Sequence, residues 1–260
     1  MPKSKKQRNN KKTVAFSIAD ENNLKYFEKL EKSFHHFHPD IELNLVGGDQ
    51  LNNLLKQDPQ FFYRATPAVA WNLFNQDYDI VVKIDADSII TGDISHTWDN
   101  DFDVAVVNNS NPREMKKYPV TVWNIHPLSY VNCGYVVMKS ARFVQHWLGL
   151  CASPHFQHYQ MREQDLLNIM VFYMSNQFGG QYNIRFLDAS KYAHGLVTKG
   201  YWLDYKLEKD KLILPKNDEW NNEDKEIKII HWAGGNQPDK MNFNLQFKES
   251  VARWLTNLTK

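Results

Sequence analysis

Apolar and polar residues recur along the first 108 residues with two different periods, which predict strands and helices in turn. Short β-rich runs predict four strands: Thr13–Ile18, Ile41–Val46, Asp79–Ile84 and Val104–Val107. Apolar residues at helical spacing predict helices between them, one carrying Leu24, Phe27, Leu30 and Phe34 and one around Thr66–Phe74. This alternation is typical of βαβ units. It therefore predicts an α/β domain with a mostly parallel central sheet flanked by helices.

The second half of the chain is less regular. Residues 109–130 contain three prolines and are too long for an ordinary connection, which predicts a functional loop. Beyond it the pattern predicts two strands and three helices: Gly134–Met138, Ala141–Leu150, Arg162–Phe178, Ile227–His231 and Phe243–Leu258. No linker divides residues 13–260, so we expect one domain, with a nucleotide-binding half over about residues 13–108 and an acceptor half over about residues 109–260.

Charge is distributed unevenly over the 260 residues. Residues 1–12 carry six cations and no acid, and removing those six from the 31 cations leaves 25 against 30 acids. We expect residues 1–12 to form a disordered basic arm. In the plain interpretation the arm is a solvated tail, and otherwise it makes a peripheral contact with an anionic membrane surface. We expect no nucleic-acid partner. The two cysteines, Cys133 and Cys151, match no zinc spacing and no disulfide framework. With no apolar run of membrane-spanning length and no secretory signal, the expected location is cytoplasmic, either soluble or peripherally bound to a membrane.

Two aspartates follow directly on the most apolar of the predicted strands. Asp85 and Asp87 are spaced i, i+2 after the run Ile80–Ile84, and an apolar pair follows them. The crevice at the carboxyl ends of the strands is where open α/β sheets bind ligands. Two carboxylates there suit Mg²⁺ or Mn²⁺ with a diphosphate as co-ligand, whereas the plain alternative is a solvated turn.

A histidine ends the last predicted strand and precedes a glycine-containing loop. His231 closes the run Ile227–Ile230, and Gly234 lies in the loop, whose backbone N–H groups can donate to a phosphate. An imidazole favours Mn²⁺ over Mg²⁺ as the bound ion. The alternative for a lone histidine is a partly buried group with its hydrogen bonds satisfied.

Two further polar groups are candidates for contact with a sugar. Asn132 and Gly134 open an apolar strand, where the amide can bind a hydroxyl and the glycine permits a close approach of the ligand. Glu163, Gln164 and Asp165 cluster at the start of a predicted helix. Acids in a first helical turn also favour the helix dipole, and a turn before a strand often carries Asn and Gly, so structural roles stay open for both groups.

Taken in order, these motifs resemble those of the GT-A glycosyltransferases, and most closely those of family 8, which includes glycogenin and bacterial lipopolysaccharide galactosyltransferases. The family pattern is Y/F-R, D-A-D, N-A-G, D-Q-D-x-x-N and H-x-x-G-x-x-K-P. The chain has Tyr63-Arg64, Asp85-Ala86-Asp87, Asn132-Cys133-Gly134, Glu163-Gln164-Asp165-Leu166-Leu167-Asn168 and His231-Trp232-Ala233-Gly234-Gly235-Asn236-Gln237-Pro238. Gln237 stands where the family lysine would contact the diphosphate; Lys240, Lys199 and Arg113 are candidate replacements.

The resemblance implies a GT-A (Rossmann-like) fold, a nucleotide-sugar donor, first of all a UDP-sugar, a glycan or other hydroxyl acceptor, and a bound Mn²⁺ or Mg²⁺. It implies Asp85, Asp87 and His231 as metal ligands and Gln164, Glu163 and Asp165 as catalytic candidates, with retention of anomeric configuration. The remaining donor-binding residues would be Ala19, Asp20, Arg64, Ala86, Asn132, Gly134, Gly234 and Gln237. Trp123, Tyr201 and Trp202 are candidate acceptor contacts because sugar C–H faces pack on aromatic rings.

Two other functions compete with this interpretation. A nucleotidyltransferase acting on sugar phosphates also combines such a sheet with acidic metal ligands, but the Gly-rich basic loop expected at its start is missing from residues 13–25. A non-catalytic nucleotide-sugar-binding protein is favoured by Gln237, since loss of the lysine weakens neutralisation of the leaving group.

Overall fold

The computed structural model describes residues 11–108, 125, 129–154, 159, 161–192, 194–195, 205–216, 223–232 and 241–260. Its strands are β1 (Thr13–Ala19), β2 (Glu42–Gly47), β3 (Ile80–Ile84), β4 (Ser88–Ile90), β5 (Val104–Asn108), β6 (Val131–Met138), β7 (Ile184–Leu187), β8 (His194–Gly195), β9 (Lys206–Glu208), β10 (Lys211–Leu214), β11 (Lys225–Glu226) and β12 (Ile229–His231). Its helices are α1 (Glu21–Phe37), α2 (Gly48–Gln57), α3 (Ala65–Phe74), α4 (Ala141–Cys151), α5 (Glu163–Tyr173), α6 (Ala189–Tyr192), α7 (Phe243–Gln246) and α8 (Glu249–Leu258). Among the described residues, 3₁₀ turns cover Phe61–Arg64, Ser95–Thr97 and Asn176–Phe178.

The central sheet has six strands in the order β2-β1-β3-β6-β5-β7. Strand β1 is parallel to β2 and β3, and β5 is parallel to β7. Strand β6 is antiparallel to both of its neighbours, β3 and β5. The predicted α/β class with a mostly parallel sheet is therefore confirmed, with one reversed strand in its middle.

Helices cover the sheet on both faces because alternate strand residues point to opposite sides. On one face, residues such as Phe16 and Val136 pack with α3, α4 and α5, where Trp147 is fully buried. On the other face, residues such as Val82 pack with Leu30 and Phe34 of α1. Both faces of β3 are buried, which explains why its sequence is a continuous apolar run interrupted only by Lys83.

A smaller sheet crosses the edge where β3 ends. Its order is β4-β12-β8, with β12 antiparallel to β4 and parallel to β8. A third group of strands, β9 to β11, packs with α7 and α8 around the buried Trp232 and Phe247. The small sheet matters for the site because it pairs β4, the segment after β3, with β12, which lies far later in the chain.

Two predicted helices are shorter in the structure than in the sequence pattern. The helix predicted over Phe243–Leu258 is divided into α7 and α8, because Phe247 is extended and buries its ring against Tyr205, Trp232 and Phe243. The helix predicted over Arg162–Phe178 ends at Tyr173 and is followed by a 3₁₀ turn at Asn176–Phe178. Helices α2 and α6 and strands β4 and β7 to β11 were not predicted.

Several sequence predictions fall on residues without a structural description. Residues 1–10 of the basic arm and residues 109–124 of the proline-containing loop lie outside the described residues, so the membrane contact and the loop function stay predictions. Within the described part of the chain, no helix combines the length and the apolar character that crossing a membrane requires. Cys133 and Cys151 are both free and buried.

Candidate functional site

Asp85 and Asp87 lie at the carboxyl end of β3, as the sequence pattern predicts. A tight turn joins β3 to β4: the Ser88 amide donates to the Asp85 carbonyl at 3.1 Å, and the Asp85 amide donates to the Gly134 carbonyl of β6 at 2.9 Å. These bonds fix the backbone on both sides of Ala86, which is buried. The two carboxylates are thus held by the ends of two strands rather than by a free loop.

His231 reaches the same place through the small sheet. The antiparallel register pairs His231 of β12 with Ser88 of β4, and the Trp232 amide donates to the Asp87 carbonyl at 3.0 Å. His231 Nε2 lies 3.1 Å from Asp85 Oδ2 and 3.3 Å from Asp87 Oδ1. The structure therefore brings together the three residues that the sequence proposed as metal ligands.

The chemistry and spacing of these three groups fit a divalent cation. One ligand atom from each residue lies within 4.8 Å of the other two. Ligands at right angles around an octahedral ion, each about 2.1 Å from it, are themselves about 3 Å apart, which matches the two distances to the imidazole. Two carboxylates with one imidazole suit Mn²⁺ better than Mg²⁺, because Mg²⁺ takes oxygen ligands almost exclusively.

Lys83 adds a buried cation beside the acids. Its ammonium is ion-paired with Asp85 Oδ1 and donates to the Cys133 carbonyl at 2.6 Å, while the side chain is only 5% exposed. Burial by itself would raise the pKa of Asp85, but Lys83 and His231 hold that pKa well below its usual range. Lys83 occupies one oxygen of Asp85, so the other oxygen, Oδ2, is turned toward His231 and Asp87.

The pKa of His231 determines how metal binding depends on pH. Burial lowers the pKa of this imidazole, but the charges of Asp87 and Asp85 outweigh burial and raise the pKa to about 9. A metal binds only the neutral imidazole, so binding at lower pH must release a proton. We expect the affinity for Mn²⁺ to rise with pH up to a pH of about 9, by as much as about tenfold per unit. Calorimetry of Mn²⁺ binding in a series of buffers measures this dependence.

The metal-free protein should show the opposite trend in its stability. The folded pKa lies above the unfolded value of 6.5, so the ion pairs of His231 contribute fully below pH 6.5 and are lost as the pH rises through about 9. Its melting temperature is expected to fall over that interval, whereas Mn²⁺ should reverse the fall. A His231→Gln variant is the control, since neither trend should persist in it.

Gly134 makes room for the imidazole. A Cβ at this position would lie 2.6 Å from His231 Nδ1 and 2.6 Å from Asn132 Oδ1, closer than van der Waals contact allows. The Gly134 amide also donates to Asn132 Oδ1 at 2.5 Å. The glycine of the N-C-G motif is therefore explained by the packing of β6 directly against His231.

A cleft of about 410 Å³ opens beside Asp85. Its buried lining includes Lys83, Cys133 and Thr66, and its more exposed lining includes Phe62 and Met161, which are 42% and 39% exposed. Glu163, Gln164, Tyr63 and Arg162 also line it. The cleft therefore adjoins the candidate metal site and is bounded by the starts of α3 and α5.

The three polar residues at the start of α5 have different surroundings. Glu163 accepts hydrogen bonds from the Thr66 amide at 3.2 Å and the Thr66 hydroxyl at 2.7 Å, while burial raises its pKa. Gln164 accepts from the Cys133 amide at 2.9 Å and donates to the Tyr130 hydroxyl at 3.4 Å. Both line the cleft, so both can contact a ligand there.

Asp165 is fully buried and does not line the cleft. Its carboxylate accepts from the Tyr130 hydroxyl at 2.6 Å and from the Met161 amide at 2.8 Å. Asn168, one turn later, bonds both the amide and the carbonyl of Val131. These two residues attach α5 to β6 and thereby position Gln164, which is a structural contribution that the motif alone does not reveal.

Three more of the predicted donor-binding residues, Ala19, Asp20 and Arg64, are not among the residues that line the cleft. Asp20 caps α1 by accepting from the Asn23 amide at 2.9 Å, and Ala19 is buried at the end of β1. Arg64 is ion-paired with Asp58, and its side chain is not part of the cleft lining. Their roles in binding a nucleotide stay predictions. Outside the described residues lie Gly234, Gln237, Trp123, Tyr201, Trp202, Lys199, Lys240 and Arg113.

Three polar residues of the cleft lining had no predicted function. Lys83 could have been found as a lysine inside an otherwise apolar strand, since a buried charge requires a partner. Thr66 carries no such signal, because its contact with Glu163 joins residues 97 positions apart. Arg162 has a backbone conformation that only the structure reveals, with φ of 52° and ψ of −118°.

Comparison with solved structures identifies the fold. The chain is similar to the galactosyltransferase LgtC in complex with donor and acceptor sugar analogs, with 15% identity, a TM-score of 0.55 and 95% of each chain covered. It is also similar to a glycosyltransferase involved in glycosylation of the major capsid of PBCV-1, with 10% identity, a TM-score of 0.53 and coverage of 88% of this chain and 96% of that one. Mouse xyloside xylosyltransferase 1 matches with 12% identity, a TM-score of 0.52 and coverage of 87% and 98%.

A further matching structure is an active-site variant of LgtC in which a glutamine is replaced by glutamate. No protein-family model and no curated protein sequence matches the chain. The predicted GT-A fold is thus confirmed by solved structures of glycosyltransferases, all at low sequence identity.

Proposed function

We propose that this protein is a metal-dependent glycosyltransferase that moves a sugar from a nucleotide-diphosphate donor to a hydroxyl acceptor. The observation that carries the proposal is the convergence of Asp85, Asp87 and His231 at the carboxyl edge of the sheet, beside the cleft that Glu163 and Gln164 line. The fold shared with glycosyltransferases supports the same reaction class. UDP-sugars are the first donors to test, and the acceptor is a glycan or another hydroxyl compound.

Asp85, Asp87 and His231 would hold the ion together with the donor diphosphate. A bound divalent ion supplies positive charge where the leaving group becomes more negative as the bond to the sugar breaks. The protein keeps the two carboxylates and the imidazole in register through β4 and β12, so little rearrangement is required on binding. Lys83 holds Asp85 in one orientation and adds a fixed positive charge beside the candidate metal site.

Glu163 and Gln164 are the groups available on the sugar side of the cleft. A retaining route through a covalent intermediate needs a carboxylate near the anomeric carbon, and Glu163 is the cleft-lining acid of α5. A front-face retaining route needs no nucleophile, and Gln164 would then stabilise the developing positive charge through its amide oxygen. An inverting reaction would use an acid here as general base on the acceptor.

Donor hydrolysis tests the proposal without knowledge of the acceptor. In the presence of Mn²⁺, we expect the protein to release nucleoside diphosphate slowly from at least one of a panel of UDP-sugars, because water can replace the acceptor. Excess chelator should abolish the release, and added Mn²⁺ should restore it. Metal-dependent binding without any release, even with a panel of acceptors, would instead indicate a non-catalytic nucleotide-sugar-binding protein.

A further inference from the structure

The guanidinium group of Arg162 lines the cleft and has no ion-pair partner among the described residues. Arg162 is partly exposed, lines the cleft, and places its guanidinium over the face of the Tyr63 ring. A guanidinium carries five N–H donors and a permanent charge, and stacking on an aromatic ring satisfies none of those donors directly. The edge of the group therefore remains available for an acceptor in the cleft.

The other charged groups that line the cleft already have partners. Lys83 is ion-paired with Asp85, and Glu163 accepts two hydrogen bonds from Thr66. Among the described residues no carboxylate lies within ion-pair distance of Arg162, and residues 154–161 before it contain no acid. Arg64, the arginine expected to bind the donor, is paired with Asp58 outside the cleft lining. The free positive charge of the described lining thus belongs to Arg162.

The backbone at Arg162 is held in a conformation that normally selects glycine. Its φ of 52° and ψ of −118° are those of the first central residue of a type II′ turn. For a residue with a Cβ, such a conformation is strained. The neighbours hold it in place: the Met161 amide donates to Asp165, and the Leu166 amide donates to the Arg162 carbonyl at 3.1 Å. Together with the unpaired guanidinium in the cleft, this conformation fixes the direction in which the Arg162 side chain leaves the backbone.

We propose that Arg162 binds an anionic oxygen group of the donor, either a phosphate of the diphosphate or a carboxylate on the transferred sugar. The inference rests on the proposed function, because both groups belong to a nucleotide-sugar donor. A bidentate guanidinium–oxyanion contact matches the geometry of either group. It would also supply, from the start of α5, a cation that the chain lacks at Gln237.

Binding measurements with Mn²⁺ present distinguish the two sources. We compare Arg162→Ala, Arg162→Lys and wild type by calorimetry with uridine, UDP, UDP-glucose and UDP-glucuronate. If the anion is a phosphate, Arg162→Ala should bind UDP and both UDP-sugars about ten- to hundredfold more weakly and uridine unchanged. If the anion is a sugar carboxylate, only UDP-glucuronate should be weakened. In either case the affinity of Arg162→Lys should lie between those of Arg162→Ala and wild type, because lysine keeps the positive charge but lacks the paired N–H donors of a guanidinium.

Two controls separate ligand binding from a structural role. Arg253→Ala removes an exposed arginine of α8 that pairs with Glu249, and it should bind every ligand as wild type does. Arg162→Gly relieves the backbone conformation, so its melting temperature should rise by about 2–4 °C while its anion binding is lost as in Arg162→Ala. If Arg162→Gly instead melts at a lower temperature than wild type and also loses anion binding, Arg162 acts through local packing, and the inference is overturned.

The remaining outcomes are also decisive. Wild-type affinities in Arg162→Ala for UDP, UDP-glucose and UDP-glucuronate would overturn the inference and leave the proposed function intact, provided that wild type hydrolyses a donor. Failure of wild type to bind any of the three would overturn the proposed function, and the role of Arg162 with it.

Discussion

Asp87→Asn is expected to abolish Mn²⁺-dependent donor hydrolysis while the protein remains folded. The substitution keeps the size of the side chain but removes one of two carboxylates at the candidate metal site and leaves His231 with Asp85 as its single acidic neighbour there. A neutral amide oxygen is a weaker ligand for a divalent ion than a carboxylate. Because the ion and its ligands act on the leaving group, we expect a loss of at least about 10²–10³-fold in rate. Nucleoside diphosphate release measures the rate, and the Mn²⁺-induced shift in melting temperature measures binding.

An exposed aspartate pair elsewhere in the chain provides the matched control. Asp99 and Asp101 have the same i, i+2 spacing but are exposed, and they belong to none of the metal-competent groups of the described residues. Asp101→Asn should therefore hydrolyse donor and bind Mn²⁺ as wild type does. If Asp87→Asn keeps its activity and its Mn²⁺ shift, the assignment of the metal ligands is wrong.

Gly134→Ala is expected to disable the same site without touching any ligand. The added methyl group would overlap with the His231 ring and with Asn132 Oδ1, and the ring is buried on β12, where it has little room to move. Displacing the ring separates Nε2 from Asp85 and Asp87. We expect Mn²⁺ affinity to fall by at least about tenfold to a hundredfold and the free energy of unfolding to fall by about 1–3 kcal/mol. Calorimetry and chemical denaturation measure the two effects.

Gly149 is the control for a glycine-to-alanine change. It lies within α4, and a Cβ there would meet no atom within 4 Å. Gly149→Ala should leave metal binding unchanged and raise the stability by about 0.5–1 kcal/mol, since alanine favours a helix interior over glycine. Unchanged Mn²⁺ affinity in Gly134→Ala would show that β6 and His231 are not packed as closely as the structure has them.

Local sequence pattern was sufficient for the elements that carry the site. Strand β3 was predicted because four of its five consecutive buried positions carry apolar side chains, and the two acids stand out between that run and the apolar pair Ile89–Ile90. The strand ending at His231 was visible for the same reason. The split between α7 and α8 was not visible, because the apolar period continues through Phe247 while tertiary contacts hold that residue extended.

The motifs pointed to a cluster of residues at the start of α5, but they did not show which of these residues faces the cleft. The cluster Glu163–Asp165 was assigned to a sugar ring as a unit, yet Glu163 and Gln164 face the cleft while Asp165 is buried against Tyr130. Helical geometry turns successive residues by about 100°, so three neighbours cannot share one surface. Which of them faces the cleft depends on how α5 rests on β6, and that contact is set by Asn168 and Val131.

The sequence by itself determined the α/β class, the acids at the end of β3 and the histidine at the end of β12, because burial and periodicity are local properties of the chain. It could not show that these two acids and this histidine, which are more than 140 positions apart in the chain, lie side by side. Only the tertiary structure decided that, since β4 pairs with β12 in the register that sets His231 beside Asp87. The candidate metal ligands come from segments that are far apart in the sequence. The free energy of packing, rather than any local preference of the chain, brings such segments together.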